Sequence, residues 1–211
     1  MIRDLAYFVQ HDDGPGPGVL LLHSFWGLTP SLKDLADGLA DRGHTVLAPD
    51  LNFGELPESQ QDALDHLGAA SPDRLASLVL SSAQLLHEKS TEGPLAVVGF
   101  GMGGSLGLWA SVRLKDKVTA VVSFYGTQQI DFASSESAYL IHLAEDDVHI
   151  TDDEASFMEA TMGLESLSVD VRRYPGTQHG FCEPDGENFD PESFEQAWSA
   201  TLVFLADQLA N

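Results

Sequence analysis

Three short stretches of this chain hold residue types that perform acyl chemistry when a fold brings them together. His179 stands in Gln178-His179-Gly180-Phe181, Asp146 and Asp147 adjoin in a second stretch, and Gly99-Phe-Gly-Met-Gly-Gly104 forms a third. A carboxylate orients an imidazole and stabilises the imidazolium formed when it takes a proton, so an Asp with a His makes the base of a hydrolytic site. A turn that opens a helix presents backbone N–H groups, which stabilise an oxyanion without needing any particular side chain. For these pieces to act together, the segments that carry them must end at one edge of a single framework.

The segments between them have the pattern that such a framework requires. Val19-Leu-Leu-Leu22, Thr45-Val-Leu-Ala48 and Leu95-Ala-Val-Val98 are short apolar runs suited to strands buried on both faces, and Val118–Phe124, Ala138–Leu143 and Leu167–Tyr174 supply three more. Thr29-Pro30 sets an N-cap and first helical position ahead of Leu32, Leu35 and Leu39, with Gly43 as the stop. Further helices are expected over 73–88, after the glycine turn through Leu106 and Trp109, near 152–162 and over 191–209. The turn cluster 11–18 suggests a hairpin-like entry, and the polar stretch 51–72 either an excursion over a site or a plain connection with a short helix. Strands alternating with helices imply an α/β fold: a single-domain, doubly wound, mostly parallel sheet spanning 1–211.

Composition bounds the function. The chain has 211 residues, with 10 Lys+Arg against 33 Asp+Glu and a formal charge of −23. A 43% hydrophobic content excludes a disordered chain, and the negative charge opposes nucleic acid and anionic membrane surfaces as partners. The single Cys182 excludes an internal disulfide framework and a Cys-rich zinc site. Apolar runs are short and Met1-Ile2-Arg3-Asp4 shows no leader pattern, so the expectation is a soluble, cytoplasmic protein.

Ligand sites in doubly wound sheets lie at the carboxyl ends of the strands. Those ends read His23-Ser24-Phe25-Trp26-Gly27, the glycine turn 99–104, Asp146-Asp147 and His179-Gly180-Phe181. Their order matches the nucleophile, acid and base of the α/β-hydrolase fold. The chain resembles the dienelactone hydrolase family, small single-domain α/β hydrolases that open lactones or cleave esters. The resemblance spans nearly the whole chain and rests on Phe25-Trp26-Gly27, Ala48-Pro49-Asp50-Leu51, the glycine turn, Asp147 with Ile150, and Tyr174-Pro175-Gly176 before His179-Gly180-Phe181.

The resemblance implies Asp147 as the acid, by its spacing to Ile150 and with adjacent Asp146 as the alternative, and His179 as the base. It implies the Phe25 and Met102 amides as the oxyanion hole, no cofactor, no metal, and a small ester or lactone as substrate. It also exposes a departure: the family carries Cys or Ser at the centre of its elbow, where this chain has Gly101, and Ser24 replaces the family's acid in the first turn. Glycine cannot attack a carbonyl, so the expected activity is direct hydrolysis by a water that His179 and Asp147 activate. The alternative is a homologue that binds a small ligand or a protein without turnover. Ser24, Trp26, Phe53 and Phe181 are expected at the substrate.

The same residues admit other readings. Gly99, Gly101 and Gly104 satisfy G-x-G-x-x-G, but Ser123-Phe124-Tyr125 stands where a dinucleotide site needs an acid. The glycines would also let a helix lie close to a strand. His23, His149 and His179 lack the short spacing of metal motifs. Cys182 and Ser24 are the candidates for a relocated nucleophile, and Ser105 is expected to cap its helix.

Overall fold

The chain folds as a twisted sheet with helices on both faces, in a computed structural model that describes residues 5–210. The leader-pattern expectation for Met1–Asp4 lies outside the described residues. In chain order the elements are β1 (Ala6–Gln10), β2 (Gly18–Leu22), α1 (Pro30–Ala40), β3 (Thr45–Pro49), α2 (Gln60–Ala69), α3 (Pro72–Lys89), β4 (Leu95–Phe100), α4 (Met102–Arg113), β5 (Val118–Phe124), β6 (Ala138–Asp146), α5 (Asp152–Leu164), β7 (Val169–Gln178) and α6 (Pro191–Leu209). The sheet order is β1-β3-β2-β4-β5-β6-β7, with β1 antiparallel and the other pairings parallel.

Side-chain alternation splits the core into two layers. Val19 and Leu21 of β2 face α1 and α6, through Leu32, Leu39, Ala197 and Leu205. Leu20 and Leu22 face the opposite way, toward α3, α4 and α5, through Val79, Leu86, Leu108 and Met158. Both faces of the central strands are dry, which is why β2, β3 and β4 read as unbroken apolar runs.

Local chemistry sets the boundaries. Thr29 accepts from the Leu32 N–H and Pro30 opens α1, while the Gly43 N–H, from a residue at φ +90°, closes it on the Ala40 carbonyl. The hairpin-like entry is corrected: β1 pairs with β3, Tyr7 opposite Ala48, because β2 already has β3 and β4 on its two edges. The last strand extends beyond Tyr174 to Gln178, since an edge strand tolerates Pro175 and a register shift at Ala144/Asp146 absorbs the irregularity. Among the described residues, no helix is long and apolar enough to cross a membrane.

The approach of α4 to the sheet is the tightest in the molecule's centre. A Cβ built at Gly103 would lie 2.2 Å from the Leu22 carbonyl oxygen, so only glycine lets the first turn of α4 rest on the end of β2. Gly38, inside α1, meets only the Arg42 side chain at 3.7 Å. Gly103→Ala should therefore cost about 3 kcal/mol or more, while Gly38→Ala should stabilise by roughly 0.5–1 kcal/mol. Urea midpoints of the two variants, moving in opposite directions from the parent, check this contrast.

Candidate active site

The sheet order places β3 and β4 on either side of β2, so the chain reverses its direction of winding there and leaves a crevice at the strand ends. Gly101 sits at the β4 end with φ +50° and ψ −114°, a strained conformation that holds the tip of a sharp strand-to-helix turn outward. Its N–H donates to the Phe124 carbonyl at 2.8 Å, and its own carbonyl accepts from Ser105 N–H at 3.0 Å. A Cβ at this position would stand 3.4 Å from His179 Nε2 and 3.5 Å from Ser24 Cβ, with no backbone in the way.

His179 follows β7 and is held from three sides. Its Nδ1 donates to Asp147, 2.8 Å from Oδ2 and 3.0 Å from Oδ1, which leaves Nε2 toward Gly101. The Phe25 ring stacks parallel to the imidazole at 6.2 Å, Tyr125 lies at 4.9 Å, and His149 meets it edge-on at 4.8 Å. Asp147 is the partner; Asp146 is exposed at the end of β6. The Asp147 carboxylate also accepts from the His149 and Ile150 N–H groups, so the turn that supplies it also fixes its orientation.

A cavity of about 460 Å³ opens over His179 and is lined by Ser24, Phe25, Trp26 and the loop around Glu183. Residues 56–60 close one side of it, so the polar stretch after β3 does pass over the site. Among the described residues, neither the Phe25 nor the Met102 N–H finds a protein acceptor, and α4 begins without a side-chain cap. Ser105 is thus not the cap; it lies inside the first turn, with its N–H on the Gly101 carbonyl. His23 pins the neighbouring loop, taking the Leu51 N–H on Nε2 and donating from Nδ1 to the Ser24 carbonyl.

Two expected substrate contacts lie elsewhere. Phe53 does not line the cavity; it packs with the second core layer, and the Arg74 guanidinium lies 3.4 Å from its ring centre. Phe181 is fully buried against Tyr125 and Tyr174, because the strand end turns it inward. Cys182 is buried as well, and burial, then the Glu183 charge, pushes its thiol well above the ordinary range, which disfavours the reactive thiolate.

The sequence pattern of the dienelactone hydrolase family matches residues 5–209. The chain belongs to that family. It is 29% identical over 206 residues to Protein usf of Aquifex pyrophilus, covering 92% of this chain and 89% of that one. It is 26% identical over 213 residues to the carboxymethylenebutenolidase of Rhodococcus opacus, covering 92% and 82%. Among solved structures, a dienelactone hydrolase-like promiscuous phosphotriesterase from metagenomic libraries superposes with a TM-score of 0.82, at 20% identity, over 97% of this chain and 98% of that one. The α/β-hydrolase fold is shared.

In this dienelactone hydrolase family member one carboxyl group at the site escaped the sequence reading. Glu183 takes the Ser24 hydroxyl hydrogen bond at 2.5 Å, from a loop four residues beyond His179. Burial pushes its carboxyl up, against the Ser24 hydrogen bond and the nearby His179, which pull it down. The available signal was an acid in the same loop as the base. His149 also stands at the site as a ring contact rather than a ligand, and burial followed by the His179 charge lowers its pKa.

Asp147 behaves oppositely to Glu183. Burial raises it, but the His179 hydrogen bond and charge, with two backbone N–H groups, outweigh burial and hold it below the ordinary carboxylate range. A depressed carboxyl contributes stability above its unfolded value and loses it as pH falls through its folded one. Asp147→Asn should therefore flatten the acid limb of the stability curve between about pH 5 and pH 2. Urea midpoints of parent and variant should converge toward low pH; parallel curves would count against the pairing.

Proposed function

We propose that this chain hydrolyses small esters or lactones by direct attack of a water held over Gly101. The observation that carries the reading is the fixed imidazole: Nδ1 is committed to Asp147, and Nε2 faces the tip of the turn from 3.4 Å beyond a missing Cβ. By its resemblance to the family, that tip is the position at which the elbow carries Cys or Ser. Here the same space is open to a water molecule.

In this mechanism the carbonyl oxygen sits between the Phe25 and Met102 N–H groups, which receive the developing negative charge. His179 Nε2 takes a proton from the water as its oxygen bonds to the carbonyl carbon. The Asp147 carboxylate stabilises the resulting imidazolium. As the C–O bond to the leaving alkoxide breaks, Nε2 returns the proton to that oxygen, releasing the alcohol and the acid. No bond to the protein forms at any point.

Binding without turnover remains the second reading, and Gly101, which offers no nucleophile, is the feature that favours it. The two separate cleanly. With a small activated acetate ester, His179→Ala should lower kcat/KM by about 10²–10⁴-fold relative to the parent. Rapid-quench mass spectra of the parent should show no acyl adduct. Equal rates in parent and variant would refute the mechanism, and an adduct on Ser24 or Ser105 would replace it with a relocated nucleophile.

A further inference from the structure

The cavity over His179 has a charge as well as a shape. Its ionisable lining, apart from His23, His179 and the Cys182 thiol, consists of Glu58, Glu183, Asp185 and Glu187, and among the described residues no Lys or Arg side chain lines it. Four of the described basic side chains are held against other groups. Lys33 lies over the Tyr7 ring, Arg74 over Phe53, and Arg172 and Arg173 pair with Asp170 and Glu159. Ser31 donates to Asp185 and Ser24 to Glu183, neutral hydrogen bonds that bring no positive charge to the wall. Phe25, Trp26 and Phe100 add aromatic surface, the first two with rings 5.3 Å apart, and Leu32, Leu35 and Leu56 add aliphatic surface.

A substrate end that enters this cavity meets carboxylates and ring faces together. A carboxylate on that end would stand among like charges with no counter-ion in the lining. An ammonium group gains on both counts, from the carboxylates and from the negative faces of the rings. We propose that the site selects esters whose non-reacting end is cationic, an alkyl- or quaternary ammonium group, and rejects esters bearing a carboxylate. This assignment of substrate class rests on the reading of the cavity as the reaction site.

The test uses three small branched alcohols of similar size and three charges, choline, neohexanol and hydroxypivalate, titrated calorimetrically into the full chain, with their acetate esters assayed in parallel. Choline should bind about tenfold or more tighter than hydroxypivalate at low ionic strength, with neohexanol between them, and the ratio should shrink as salt is raised. Glu183→Gln should compress the ranking. The rim variant Glu58→Gln/Asp185→Asn/Glu187→Gln should do so independently, without disturbing the Ser24 hydrogen bond. Equal affinities, an anion preference, or no binding of choline would overturn the proposal. Charge-ranked binding without turnover of any ester would uphold it while refuting the hydrolytic mechanism.

Discussion

The contact between the first turn of α4 and the end of β2 constrains everything at the strand ends. Gly103 has no Cβ, so the helix rests on the Leu22 and His23 carbonyls and leaves β4 through a turn only one residue deep. That residue, Gly101, is forced to φ +50°, and its tip is thereby held beneath the imidazole of His179. The turns that carry Phe25 and Met102 are neighbours because β2 and β4 pair in the sheet. Moving α4 outward by the width of a methyl group would separate these parts.

Around that turn, two carboxyl groups are pushed in opposite directions by their surroundings. Asp147 has the His179 imidazole and two backbone N–H donors, which hold its carboxyl below the usual range. Glu183 has a serine hydroxyl, and burial dominates. A raised carboxyl favours folding below its unfolded value and loses that contribution as pH rises through its folded one, the reverse of Asp147. The site thus joins one carboxylate that holds the His179 imidazole to a second carboxyl in the cavity wall.

Much of this was legible in the sequence, for identifiable reasons. Double burial wrote β2, β3 and β4 as apolar runs, and strand-end position brought Asp147 and Phe25 against His179. The β1 pairing was hidden because β1 is a half-buried edge strand whose partner is chosen by which sheet edge stays open, and that is a property of the whole sheet. Phe53 and Phe181 misled because aromatic side chains beside a site serve packing as readily as binding; a guanidinium covers one and two tyrosines bury the other. Glu183 was missed because its importance comes from a loop folding back onto Ser24, 159 positions away in sequence.

The central claim is that a working hydrolase turn surrounds a position without a side chain. It is tested most directly by supplying one, in Gly101→Ser, and treating the folded protein with an activated phosphonate ester. The added Cβ has room, 3.4 Å from His179 Nε2, and the strained backbone should cost about 1–3 kcal/mol, within the stability of an ordinary domain. The account predicts that intact mass rises by one phosphonyl group in the variant, that the parent is unmodified, and that adding His179→Ala abolishes labelling. A folded Gly101→Ser variant that remains unlabelled would contradict it.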